Sequence, residues 1–326
     1  MLSFLRGTKY DPARDLPDLT GKATIVTGGN AGIGYADCFH LARKGAKVYM
    51  GARSEERAQA AIAQLEEAGV EKGKVEWLDL DLTYPKKVKA AAEGFMEKES
   101  RLDILLDCLQ MRRLWSFPDG SVGVLDTMMI NHFGVYIFTQ TLLPLLKRTA
   151  EDPSDDVRIV TLASDSLALV KGLDVRFRSV EDYNREFKEA SDSDRCRYAV
   201  TKLADALYAR ALQRQLNAAN APILVLSADP GWVWTPGVSA IPFLQKPAWK
   251  PVVALLRLVA FVDPIEGAHS SVFAAASPAV REEAGRWKGR MAFLEKAAGG
   301  GWGRAMPRRR TTKRWRTSCA RARRRS

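Results

Sequence analysis

Tyr198-Ala199-Val200-Thr201-Lys202 sets a phenol and an ammonium four residues apart, which on a helix places both on one face, one turn apart. A tyrosine hydroxyl ordinarily ionises near about pH 10, and a neighbouring ammonium favours the phenolate and lowers that value toward neutrality. Ser164 closes the strand-like run Arg158-Ile159-Val160-Thr161-Leu162-Ala163 and can donate a hydrogen bond to an oxygen that Tyr198 protonates. Far upstream, Thr27-Gly28-Gly29-Asn30-Ala31-Gly32-Ile33-Gly34 follows the apolar run Ala23 to Val26. Gly28 permits a sharp turn, Gly32 a close approach of backbone to a pyrophosphate and Gly34 the packing of a new helix, whose N-terminal N–H groups attract an anion. Tyr-x-x-x-Lys alone is a common helical spacing. Its company with Ser164, the glycine loop and Pro230-Gly231 points to proton transfer beside a phosphate-bearing cofactor.

These residues need elements to hold them. Strands are expected at Ala23 to Val26, Lys47 to Met50, Val75 to Leu78, Asp103 to Leu106, Arg158 to Leu162 and Ile223 to Ser227. Helices alternate with them at Gly32 to Lys44, Ser54 to Ala68, Pro85 to Lys98, about Val122 to Arg148, and Arg195 to Asn217. The alternation predicts an α/β fold, a doubly wound Rossmann-type parallel sheet with helices on both faces in a single domain, with ligands at the carboxyl ends of the strands. A lead-in spans 1–18, the domain 19–295 and a basic tail, expected to be disordered, 296–326. Five prolines break the alternation between Trp232 and Pro264, which reads as a substrate lid. A buried lid helix over Val252 to Phe261 is favoured there over a membrane-surface helix.

Thr-Gly-x-x-x-Gly-Ile-Gly, Ser164, Tyr198, Lys202 and Pro230-Gly231 together resemble the short-chain dehydrogenase/reductase family over roughly residues 18 to 295. Tyr198 follows Ser164 by 34 positions, and the extra segment Leu167 to Arg197 resembles the retinol-dehydrogenase-like branch. The resemblance implies hydride transfer at a carbonyl or alcohol carbon, with Tyr198 as the acid in reduction and the base in oxidation. It also implies that Lys202 tunes Tyr198 and holds the nicotinamide ribose, that Ser164 orients the substrate, and that Asn131 supports a proton relay. By the same resemblance the cofactor meets Thr27, Gly28, Asn30, Gly32, Ile33, Gly34, Asp81, Leu82, Tyr198, Lys202, Pro230, Gly231, Val233 and Thr235. Arg53, just after the second strand, favours NADP(H) over NAD(H), because a guanidinium forks onto a 2′-phosphate where an acid would accept from a ribose diol.

One motif fails. After the fourth strand the family carries Asn-Asn-Ala-Gly, where this chain has Asp107-Cys108-Leu109-Gln110. The bulk of Leu109 and Gln110 puts cofactor affinity and folding of this edge in question, and a catalytically impaired cofactor-binding regulator becomes the competing reading.

Net charge is +12, but eleven Lys or Arg and no acid lie between Arg304 and Ser326, which leaves the body near +1. The terminal run reads as a disordered end, a nucleic-acid or membrane-surface arm, or a peptide from a wrong frame or exon, the last being favoured. Cys38, Cys108, Cys196 and Cys319 lack disulfide or metal-ligand spacing, and His40, His132 and His269 read as structural. With no apolar run long enough to span a bilayer, a cytoplasmic protein is expected, acting on a mainly apolar small molecule. Nucleic acid is not an expected partner, membrane-surface association is not favoured, and a homo-oligomer is left open.

Overall fold

A computed structural model describes residues 10–109, 123–190, 192–239, 242–246, 249–287, 291–297 and 301–307. Its parallel strands are β1 (Ala23–Thr27), β2 (Lys47–Ala52), β3 (Val75–Asp79), β4 (Ile104–Asp107), β5 (Arg158–Leu162), β6 (Leu224–Asp229) and β7 (Met291–Ala297). An antiparallel β8 (Gly301–Pro307) completes the order β3-β2-β1-β4-β5-β6-β7-β8. The main helices are α1 (Gly32–Arg43), α2 (Glu55–Glu67), α3 (Pro85–Lys98), α4 (Gly134–Thr149), α5 (Ser193–Ala218), α6 (Lys250–Ala260) and α7 (His269–Ala276). This is the doubly wound sheet that the alternation implies.

Successive strand residues point to opposite faces, so a sheet covered on both sides needs continuous apolar strands. Ile25, Tyr49, Leu105, Ile159 and Val225 pack in one layer with residues of α3, α4 and α5, while Val26, Met50, Leu106, Val160 and Leu226 pack in the other with residues of α1, α2 and α7. Helix starts follow local chemistry. The Ser54 hydroxyl accepts from the Arg57 N–H at 3.4 Å and caps α2, and α3 opens on Pro85.

Three expectations are corrected. The helix expected from about Val122 to Arg148 is interrupted: a short turn at Asp126–Met128 runs into a π-helical turn at Met129–Phe133 before α4 begins. A cause is visible at Gly134, where a Cβ would stand 2.5 Å from the Leu82 carbonyl oxygen, so α4 starts backbone against backbone. The sheet continues past residue 295, because the open edge of β7 offers unpaired backbone groups that β8 meets within the supposed tail. Residues 308–326 lie outside the described residues. The lid helix α6 is exposed along most of its length rather than buried. No helix among the described residues is long and apolar enough to cross a membrane.

Arg158 is the largest fully buried side chain, and it joins β5 to the end of α7. Its guanidinium donates to the Ala274 carbonyl (2.9 Å), the Ser277 carbonyl (2.9 Å) and both carboxylate oxygens of Asp156. Arg158→Ala strips two buried carbonyls of their donors and should cost about 3 kcal/mol in urea unfolding. A loss under about 0.5 kcal/mol, the range of ordinary surface substitutions, would show that this buried link is dispensable.

Candidate active site

The crossover from β3 to β4 opens a crevice between β1 and β4, whose last residues Thr27 and Asp107 lie in register. On the β1 side the chain turns through Gly28 and Gly32, with φ of 65° and 58°. A Cβ on Gly34 would stand 2.5 Å from the Gly28 carbonyl oxygen, so the first turn of α1 can rest on the loop only through glycine. The Gly28 and Gly29 N–H groups donate to the Gly51 carbonyl at 2.8 and 3.3 Å and fasten the loop to β2. Ala31 has no side chain that could cap α1, whose first-turn N–H groups, as in any helix, have no intrahelical partner. These features fit the pyrophosphate of a dinucleotide. Asn30 is half-buried and Ile33 buried in the same turn.

Thr27 is the last residue of β1 and is buried. Its hydroxyl oxygen accepts from the Cys108 and Leu109 N–H groups at 3.1 and 3.3 Å, tying β1 to β4. Arg53 is exposed two residues beyond Gly51. Asp81 accepts from the Thr83 N–H at 3.0 Å, and Leu82 is buried against Gly134. On the far side Pro230 is buried, and the Gly231 N–H donates to Asp229 at 3.0 Å in a residue with φ of 71°. Val233 is buried and bridges Val262. Thr235 reaches the glycine loop, its Cγ2 lying 3.3 Å from where a Gly32 Cβ would be, while its hydroxyl accepts from the Val238 N–H at 3.3 Å. The expected cofactor residues thus lie at, or soon after, the carboxyl ends of β1, β2, β3 and β6.

Lys202 is 2% exposed, and its Nζ donates to the Leu162 carbonyl at the end of β5 and to Asp205 Oδ2, each at 3.0 Å. Burial opposes that charge, but Asp205 and Tyr198 outweigh it and hold the ammonium above the ordinary lysine range. His132 Nδ1 pairs with Asp205 Oδ1 at 3.1 Å. One residue earlier, in the π-helical turn, Asn131 Nδ2 donates to Thr201 Oγ1 at 3.1 Å, and that hydroxyl donates to the Tyr198 carbonyl at 2.8 Å. Tyr198 is buried on α5, and half-buried Ser164 sits where β5 ends, its Oγ accepting from the Ser166 N–H at 3.2 Å. Asn131, Tyr198 and Lys202 are therefore fixed relative to one another by α5 and the π-helical turn, and Lys202 is fastened to Leu162, the last residue of β5, two positions before Ser164.

Asp107, Cys108 and Leu109 of the departing motif are packed into the fold. The Cys108 thiol donates to Asp37 of α1 at 2.8 Å, and the Ser271 hydroxyl of α7 donates to the other Asp37 oxygen. Leu109 packs on Gly28, with its Cα 3.0 Å from where a Cβ on that glycine would be. Asp107 is buried with both side-chain oxygens lacking a hydrogen-bond partner among the described residues. Burial, then the charge of Asp205, push its carboxyl well above the usual range, against the pull of Lys202. Gln110 lies outside the described residues. Sequence reading treats His132 as structural and passes over Asp205 and Asp37. The available signals are an acid one turn past Lys202 and a histidine beside Asn131.

Sequence and structure comparisons place the chain in a family. The sequence model described as short chain dehydrogenase matches residues 22–168. A short-chain dehydrogenase/reductase of Armillaria gallica is 39% identical over 274 residues, covering 84% of each chain. Human retinol dehydrogenase 14 is 34% identical over 286 residues, covering 82% of this chain and 78% of its own. The Pseudomonas aeruginosa RhlG/NADP active-site complex aligns with a TM-score of 0.60 at 21% identity, over 85% of this chain and 96% of its own, and shares the fold. The chain belongs to the short-chain dehydrogenase/reductase family of oxidoreductases, with a retinol-dehydrogenase-like relation. Proteins of this family bind nicotinamide cofactors and act on small molecules.

Burial drives the Asp37 carboxyl up to about 7, although the Cys108 and Ser271 hydrogen bonds pull the other way. Because the folded value exceeds the unfolded one, its stabilising contribution is full below about pH 4 and is lost as pH rises through about 7. Between about pH 5 and pH 8 the wild type should lose on the order of 2 kcal/mol relative to Asp37→Asn, measured as urea unfolding free energies. Parallel profiles for the two proteins would remove this role from Asp37.

Proposed function

We propose that the chain is an NADP(H)-dependent oxidoreductase moving a hydride between nicotinamide and a carbonyl or alcohol carbon of a mainly apolar small molecule. The setting is the cytoplasm, in secondary, lipid or retinoid/steroid-type metabolism. The observation that carries this is the buried, still-charged Lys202 one helical turn from Tyr198, fastened to the end of the strand that leads to Ser164. When bound, the nicotinamide supplies or accepts the hydride. In the reductive direction Tyr198 gives its phenolic proton to the carbonyl oxygen, and the Lys202 ammonium stabilises the phenolate left behind. Ser164 donates to the same oxygen and fixes its direction. Oxidation runs these proton movements backward, with the Tyr198 phenolate as base.

The residues proposed to hold the cofactor are Thr27, Gly28, Asn30, Gly32, Ile33, Gly34, Arg53, Asp81, Leu82, Pro230, Gly231, Val233 and Thr235, with Tyr198 and Lys202 at the reacting end. Exposed Arg53, two residues past the carbonyl that fastens the glycine loop, supports a 2′-phosphate. An apolar substrate is supported by the aromatic group at the lid. The Trp232 and Trp234 rings lie 5.8 and 5.2 Å from that of Phe261, and Trp232 Nε1 donates to Asp165 at 3.0 Å, beside Ser164. A cofactor-binding regulator without turnover is the second reading, favoured by the packing of Leu109 onto Gly28.

Purified protein should perturb NADPH fluorescence and reduce members of a ketone and aldehyde panel. Tyr198→Phe should lose roughly a thousandfold in turnover while still binding cofactor. Arg53→Asp should weaken NADPH at least about tenfold more than NADH, since each tenfold is only about 1.4 kcal/mol of a lost charge-assisted contact. Full turnover in Tyr198→Phe ends the proton-transfer role, and equal weakening of both cofactors ends the NADP(H) assignment. NADPH binding without turnover on the whole panel favours the regulator.

A further inference from the structure

Helix α6 carries the largest group of exposed apolar side chains in the described residues. Leu258 is 82% exposed, Val259 66% and Leu255 60%, with Val252 and Trp249 also exposed. Val252, Leu255 and Val259 recur at i, i+3 and i+7, so they form one stripe, with Leu258 flanking it. Isolated exposed apolar residues are ordinary, but a continuous stripe on one helix marks a surface that something else covers. The helix is fastened to the body near its end, where the Arg257 guanidinium lies over the Trp234 ring at 5.6 Å and reaches Asp263 at 4.0 Å, and the Phe261 ring meets Trp234.

The charge around the stripe narrows what covers it. From Pro230 to Val262 the chain contains Lys246, Lys250 and Arg257 and no Asp or Glu, and the next residue, Asp263, is the acid that Arg257 reaches at 4.0 Å. On the helical wheel Lys250 and Arg257 fall on the side away from the stripe. An apolar stripe, a cationic opposite side and a tryptophan at the N-terminal end are the features of a helix lying in the interface of an anionic bilayer. With 11 residues α6 is only about half the length of a spanning helix, so it lies along a surface and does not cross it. We infer that α6 is a membrane-docking element. It seats Val252, Leu255, Leu258 and Val259 among the acyl chains of an anionic phospholipid surface, with Lys250 and Arg257 at headgroup level. This inference is independent of the proposed chemistry. It reverses the preference for a buried lid helix because the stripe that should be covered by protein is open.

The test is flotation of the full chain with vesicles of phosphatidylglycerol and phosphatidylcholine, beside vesicles of phosphatidylcholine alone. A brominated-lipid series reports Trp249 as the difference in quenching between wild type and Trp249→Phe. Binding should favour the anionic vesicles and Trp249 should be quenched. The double variant Leu258→Asp with Val259→Asp should bind at least about tenfold more weakly, the scale set by removing two buried apolar side chains. Both side chains are exposed, so the variant should fold, which a thermal melt checks, and Trp249 quenching in otherwise native protein is a second, independent readout. Undiminished binding of the double variant with no Trp249 quenching would overturn the inference and assign adsorption to the basic segment after Arg304. Absence of vesicle binding would also overturn it, and a self-associated species that the double variant dissolves would show that a second copy covers the stripe.

Discussion

The site depends on two places where backbone lies directly on backbone. At Gly34 the first turn of α1 rests on the Gly28 carbonyl, and at Gly134 the start of α4 rests on the Leu82 carbonyl, with room for a Cβ at neither. The first contact holds the N-terminal turn of α1 against the loop that leaves β1. The second brings the π-helical turn, and with it Asn131 and His132, against the carboxyl edge of the sheet. A side chain at either position would push a helix outward and separate groups whose chemistry depends on hydrogen-bond distances.

Around those contacts the chain places an unusual amount of charge in a dry setting. Lys202 has Asp205 as its buried counter-ion, Asp205 is held by His132, and Asp107 faces the same group with no hydrogen-bond partner among the described residues. A buried ammonium is costly unless paired, so Asp205 keeps Lys202 charged beneath Tyr198. The hydrogen bond and ion pair at 3.0 Å make Lys202 and Asp205 one unit in this chain. The departure at Asp107-Cys108-Leu109 belongs to the same compromise: Cys108 gains Asp37 as partner, and Leu109 fills space beside Gly28.

The strands were legible because each is a short apolar run between turn residues, and β5 matches its expected bounds at Arg158 and Leu162. The glycine loop and the Tyr198–Lys202 pair were legible because their geometry is local, set within one turn of chain. Asp37, Asp205 and Arg158 were not, since each acquires its meaning from a partner far away in sequence: Ser271, His132 and the Ala274 carbonyl. The π-helical turn was hidden because the apolar pattern runs through it unbroken, and only the close approach of Gly134 to Leu82 exposes a reason for it. Burial of the lid helix was not legible because an apolar stripe reads alike whether protein or another surface covers it, and in the structure Leu258 and Val259 are open to solvent.

The central claim is that this crevice moves a hydride directly between nicotinamide C4 and the substrate carbon. Single-turnover reduction of a carbonyl substrate with NADPH deuterated at nicotinamide C4 tests it most directly, read by mass spectrometry of the product alcohol. The account predicts one deuterium per product molecule on the former carbonyl carbon from one labelled face of the cofactor, and none from the opposite face or from deuterated solvent. Product carrying carbon-bound deuterium from solvent, or label from both faces equally, would contradict it.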